Sequence, residues 1–203
     1  MRNPHRWFLP ACSFELALLG AAALLSWLLG RPLLANLHWT SRDAIVGALG
    51  AGPPLVLFWW TLRSQRRSLA AIRGFLEDIV RPIFGSWSLL QLALISLLAG
   101  FCEESLFRGV IQAELADAIG PIPAIFLASL LFGLCHFVNW TYAAVAAAIG
   151  LYLGMIWQFT GNLLPPVGAH ALYDFVALVC FLRIFRPKTQ LQPGRFGEPP
   201  TRG

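Results

Sequence analysis

The chain has 203 residues, 57% of them apolar and only 12% charged, with a mean hydropathy of +0.65. An ordinary soluble domain carries roughly a quarter charged residues, so the composition argues against a soluble fold, a disordered chain and a disulfide-stapled secreted domain. The net charge of +5 would suit a polyanion, but the placement of the basic residues has another origin, and no nucleic acid is expected as a partner.

A helix needs about 20 apolar residues to cross a hydrocarbon core of roughly 30 Å. Six stretches qualify: Phe14–Leu29, Ile45–Leu62, Ser86–Val110, Ile122–Val138, Tyr142–Phe159 and Val167–Ile184. The expected fold is therefore all-α, a polytopic membrane helical bundle of about six transmembrane helices. It forms a single integral-membrane domain over 1–185, with a flexible, proline-rich polar tail over 186–203. With six spans both ends face the same side. Twelve of the fifteen Lys and Arg then lie on that side, two (Arg31 and Arg42) on the other, and Arg108 within a span. By the positive-inside bias both termini are cytoplasmic, and the net charge follows from topology. The short loops suit a bacterial inner (plasma) membrane. Trp27, Trp59, Trp60, Trp87, Trp140 and Trp157 fall near span ends, where aromatic rings sit among headgroups. The four cysteines (Cys12, Cys102, Cys135 and Cys180) have no C-x-x-C spacing and read as small membrane hydrophobes.

Between the second and third spans, Leu69, Ile72, Leu76 and Ile79 recur at helical spacing, with Arg73 and Glu77 as an i,i+4 pair on another face. This is either an amphipathic helix in the cytoplasmic interface or a connecting helix packed on the bundle.

Ionisable groups inside spans are costly and tend to face cavities with partners. Glu15 sits alone in the first span. The third span contains Glu103, Glu104 and Arg108, the fourth ends Phe132-Gly133-Leu134-Cys135-His136, and the sixth opens with His170 and Asp174. Glu104 and Arg108 share a helix face and can pair. Glu103 points about 100° away, which leaves its carboxylate for chemistry or for contact with His136 or His170. His170 and Asp174 again share a face. A turn near Gly120–Pro123 makes the third and fourth spans a hairpin in which Glu104 and His136 meet at one depth. His170 joins them only if Thr160–Pro166 dips into the bundle, which irregular backbone does where it lines protein or a wet cavity.

Glu103-Glu104-x-x-x-Arg108, Phe132-x-x-x-His136 and His170-x-x-x-Asp174 together resemble the CAAX-protease and bacteriocin-processing (Abi) family, which includes the type II CAAX prenyl endopeptidases. The run Thr160-Gly161-Asn162-Leu163-Leu164-Pro165-Pro166 is similar to the family's approach to its last motif. Asp174 stands where eukaryotic prenyl proteases usually have Asn. The resemblance implies an intramembrane endopeptidase acting on a membrane-associated peptide or protein in the bilayer. It implies catalytic roles for Glu103, His136, His170 and Asp174: the first two activate water, and the last two steady the oxyanion. Glu104, Arg108 and Phe132 would support the site. No cofactor is favoured. In a zinc-dependent version Glu103, His136 and His170 would be the ligands, with water as the fourth. Another alternative is a bis-histidine haem protein with His136 and His170 as axial ligands.

Overall fold

The computed structural model describes residues 6–185; the proposed flexible tail over 186–203 lies outside the described residues. Seven main helices run through it: α1 (Phe8–Leu28), α2 (Ser41–Arg63), α3 (Arg67–Phe75), α4 (Leu89–Ile119), α5 (Pro121–Cys135), α6 (Trp140–Thr160) and α7 (Leu164–Ile184). Five of these, α1, α2, α4, α6 and α7, are long and apolar enough to cross a membrane, and α5 is a shorter apolar helix of 15 residues. The protein is an all-α integral membrane bundle.

Local chemistry sets the boundaries. Thr40 caps α2 by accepting from the Asp43 amide at 3.0 Å, and Asn139 caps α6 by accepting from Tyr142 at 3.0 Å. Ser88 and Gln91 form a reciprocal capping box at the start of α4, the Ser-x-x-Gln signature of a helix N-terminus. Helix α2 breaks at Ala51, where Pro53 and Pro54 begin its second half; proline removes amide donors from the ladder and bends the helix. Gly120 alone, at φ +89°, turns α4 into α5, a conformation that favours glycine. At about 1.5 Å per residue, the 15 residues of α5 fall short of a 30 Å slab, so His136 at its end stops within the depth of the bundle.

Helix α4 is the hub, with α1, α5 and α7 packed along it, while α6 pairs with α5 and α2 lies on α7. Its middle, Ser105–Gln112, is π-helical. Such wide turns interrupt α-helices mostly at functional sites. Here the π turn lays Arg108 and Gln112 on α6. Arg108 Nη2 donates to the Gly150 carbonyl at 2.6 Å and Gln112 Nε2 to that of Gly154 at 3.1 Å. A side chain on either glycine would run into these groups: a Cβ on Gly154 would sit 2.7 Å from Gln112 Oε1, and one on Gly150 3.3 Å from Phe132. Gly100 lets α7 approach equally closely, since a Cβ there would lie 2.8 Å from the Ala171 amide nitrogen.

The connecting segment packs on the bundle. Leu69 and Ile72 are buried, and Phe75 meets Tyr142 edge-on at 5.3 Å. Two expectations are corrected here. Arg73 does not pair with Glu77; it donates to the Thr61 carbonyl at 3.2 Å, and Glu77 instead accepts from Arg81 at 2.6 Å. Arg81 also reaches the carbonyls of Phe181 and Phe185 and so ties the end of α7 to this segment. Trp87 and Trp157 are interior rather than interfacial. Trp87 is fully buried between Phe8 and Phe84, at ring-centroid distances of 5.1 and 4.5 Å.

Candidate active site

Position 104 lies one residue before the π turn of α4, and its carboxylate is completely buried. Arg108, 1% exposed, holds it through Nε–Oε2 at 3.1 Å and Nη1–Oε1 at 3.2 Å. The same Oε1 accepts from His170 Nδ1 at 2.8 Å. Glu104 is thus the anchor of a buried Arg108–Glu104–His170 chain. The other ring nitrogen of His170 faces Asp174 Oδ2 at 3.5 Å. Asp174 shares a helix face with His170, but the shorter contact comes from Glu104 on another helix.

Glu103 points elsewhere, as the 100° step between neighbours requires. It is 7% exposed, and its Oε2 lies 3.5 Å from His136 Nε2. The other nitrogen of His136 is 2.8 Å from the Phe132 carbonyl oxygen. A carbonyl only accepts, so Nδ1 carries the hydrogen, and Nε2 is the nitrogen that faces Glu103. Phe132 organises the group. Its ring stacks on His136 at 4.4 Å, meets His170 edge-on at 6.0 Å, and lies 4.8 Å under the Arg108 guanidinium.

All the candidate residues therefore converge: Glu103, Glu104 and Arg108 from α4, Phe132 and His136 at the end of α5, and His170 and Asp174 from α7. The arrival of α7 depends on the chain between α6 and α7. After Gly161 (φ +64°) it enters the bundle, with Asn162, Leu163, Pro165 and Pro166 all buried. Asn162 satisfies this irregular stretch. It donates to the His38 carbonyl at 2.7 Å and to Asp43 at 2.8 Å, and accepts from the amides of His38 and Leu164 at 3.0 and 3.1 Å. Buried loops stand only when their polar groups are paired in this way.

Glu103, His136, His170 and Asp174 border a cavity of about 180 Å³, together with Tyr142 and Tyr173. Sequence reasoning gave no individual role to Tyr142, Tyr173 or Asn162, although Asn162 lies in the Thr160–Pro166 run that resembles the family's approach to its last motif. It noted Glu15 as an oddity without bringing it here, yet Glu15 lines an adjoining cavity beside Glu103 and Asp174.

Among the described residues no group of three His, Cys, Asp or Glu side chains is placed to hold a metal ion, and His170 Nδ1 is already taken by Glu104.

The stretch that builds this site is the one that resembles known proteins. Residues 85–176 match the family model for type II CAAX prenyl endopeptidase Rce1-like proteins, a range that contains every motif residue from Glu103 to Asp174. This motif-bearing stretch is therefore similar to the type II CAAX prenyl endopeptidases. An uncharacterized protein of Bacillus subtilis (strain 168), YpbD, is 34% identical over 108 residues, 52% of this chain and 52% of that protein. The chain thus spans about half the length of the curated relative it matches. No solved structure matches it.

Proposed function

We propose that the protein is a membrane-embedded endopeptidase that cleaves a membrane-associated peptide or protein with water activated by Glu103 and His136. The family match over 85–176 supports this reading, and one observation carries it: Glu103 Oε2 and His136 Nε2 stand 3.5 Å apart at the wall of one cavity. A water held between them donates to both. Glu103 acts as the general base: it takes a proton as the water oxygen attacks the scissile carbonyl carbon, and the carbonyl electron pair moves onto its oxygen. That oxyanion needs a donor placed in advance. His170 supplies it. With carboxylates at both ring nitrogens, both act as donors, and Nε2–H serves the oxyanion from beside Asp174. Glu103 then returns its proton to the amide nitrogen as the carbon–nitrogen bond breaks, which frees the amine and leaves the new carboxylic acid. Glu104 and Arg108 hold His170 in place and stay out of the bond-making steps.

In this reading both termini face the cytoplasm of a bacterial plasma membrane. The test is cleavage of a membrane-anchored peptide by the purified protein in detergent. Parent protein cleaves, Glu103→Gln does not although it folds, and a chelator leaves the parent rate unchanged. A Glu103→Gln protein that cleaves as the parent does removes the proposed base. Loss of cleavage on chelation, with recovery on adding zinc, replaces the metal-free mechanism.

A further inference from the structure

Glu15 takes no part in the hydrolytic steps and lies outside the stretch that matches the family. It is the one charged residue of α1, on a helix whose remaining surface is largely apolar. A carboxylate in a membrane-crossing helix marks a functional group by default. Here it is 8% exposed, and its Oε2 has no hydrogen-bond partner among the described residues.

Glu15 is aimed into a second cavity of about 300 Å³, which shares Glu103, Tyr173 and Asp174 with the first. The two compartments therefore adjoin, with the proposed base in the wall between them. The lining of the second is mostly apolar, with Phe84, Ile95 and Phe181 among its walls, and three carboxylates face it: Glu15, Glu103 and Asp174. Among the described residues no basic side chain lines it. The nearby Arg81 and Arg183 are already committed, Arg81 to Glu77 and the carbonyls of Phe181 and Phe185, Arg183 to the carbonyls of Gly85 and Trp87. The cavity thus has apolar walls, an unpaired buried acceptor and three carboxyl groups in its lining. These are the features that receive a long aliphatic stem ending in a cation, and an incoming cation would give the buried acceptor the partner it lacks.

We propose that this cavity is a substrate subsite for a lysine or arginine side chain near the scissile bond, with Glu15 receiving its cationic head. The proposal rests on the hydrolase reading above and adds a specificity to it. The chemistry needs only a side chain that reaches from one compartment into the next.

The test has two arms. In the first, the parent, Glu15→Gln and Glu15→Lys proteins, purified in detergent, cleave a peptide library with every N-terminus acetylated, so that only side chains carry cations. The parent should prefer Lys or Arg over the neutral isostere norleucine at one position by roughly tenfold or more. Glu15→Gln should bring the two to parity, and Glu15→Lys should turn the preference toward acidic residues. Equal cleavage of lysine and norleucine peptides by the parent overturns the proposal, as does a preference that survives in Glu15→Gln. The second arm needs no catalysis. Benzamidine should raise the unfolding temperature of the parent where its neutral isostere benzamide does not, since ligands of the native state stabilise it. Glu15→Gln should lose this difference. Should that variant fail to fold, the parent's response to benzamidine against benzamide still decides. A parent that binds benzamidine through Glu15 but cleaves no peptide overturns the hydrolase reading and leaves the cation site standing. Identical responses to the two compounds overturn the cation site.

Discussion

Two neighbouring glutamates meet opposite fates in this protein. Glu104 is sealed between Arg108 and His170, whereas Glu103 faces a cavity with His136 3.5 Å away. Their substitutions should therefore fail differently. Glu103→Gln removes a base without removing a structural bond, so thermal unfolding should stay near the parent's while cleavage stops. Glu104→Gln strands a guanidinium that is 1% exposed, and breaking a buried ion pair costs about 3–5 kcal/mol. That variant should unfold at a markedly lower temperature and lose activity with its fold. Asp174 differs again, since its contact with His170 is the longer of the two. Asp174→Asn should fold and keep part of the cleavage rate, because Glu104 still orients the ring. A completely inactive Asp174→Asn would assign the carboxylate itself to the chemistry. Helical spacing was enough to read the Glu104–Arg108 pairing. The hold of Glu104 on His170 was not legible, because it joins residues 66 positions apart.

At the scale of the elements, glycines decide which helices touch. Gly154 accommodates Gln112, and Gly100 lets the backbone of α7 lie against α4. Overfilling a packed interface typically costs about 1–3 kcal/mol. Gly154→Leu should therefore lower the unfolding temperature in detergent, and a variant that melts with the parent would count against the α4–α6 clip. Gly100→Ala is the sharper probe. Its new Cβ would meet main-chain atoms of Val167 and Ala171 at under 3.0 Å, which have little room to yield. The displaced α7 would carry His170 away from Glu104, so cleavage should fall together with stability. Gly150 and Gly154 stand four apart in the sequence, but a glycine pattern names no partner, and here the partners are two polar side chains reaching for carbonyls. Trp87 and Trp157 teach the same lesson. Position near a span end suggested a headgroup belt, but bulky rings also fill a bundle wherever a cluster such as Phe8 and Phe84 surrounds them.

On the scale of the whole molecule, the connections matter as much as the spans. Asn162 ties the α6–α7 turn to His38 and Asp43 on the opposite side of the bundle end. Asn162→Ala should leave the His38 carbonyl and two backbone amides unpaired, at roughly 1–3 kcal/mol for each buried group. The expected result is a lower unfolding temperature and a disproportionate loss of cleavage, as His170 loses its depth. Topology is tested separately. The twelve-to-two distribution of basic residues predicts that Gly203 and the loop after Trp60 lie on the cytoplasmic side. Reporter fusions at both points should read cytoplasmic, and an external reading at either would reverse the proposed orientation.

The sequence by itself determined the all-helical membrane fold, the approximate spans and the ionisable residues that do not belong in lipid. These are consequences of local composition: a twenty-residue apolar run and a charge within it keep their meaning wherever the helix lies. The hairpin was also legible, because one turn at Gly120 fixes the register of two helices; the spacing set Glu104 level with His136, and it is the neighbouring Glu103 that meets the ring. Only the tertiary structure decided where α7 sits in depth, that Glu104 rather than Asp174 makes the closer contact with His170, and that Glu15 shares a cavity boundary with Glu103. Each depends on how far one helix slides or turns against another. That displacement is set by glycine contacts, a π-helical turn and a buried asparagine acting between distant parts of the chain, and no periodicity along the sequence records it.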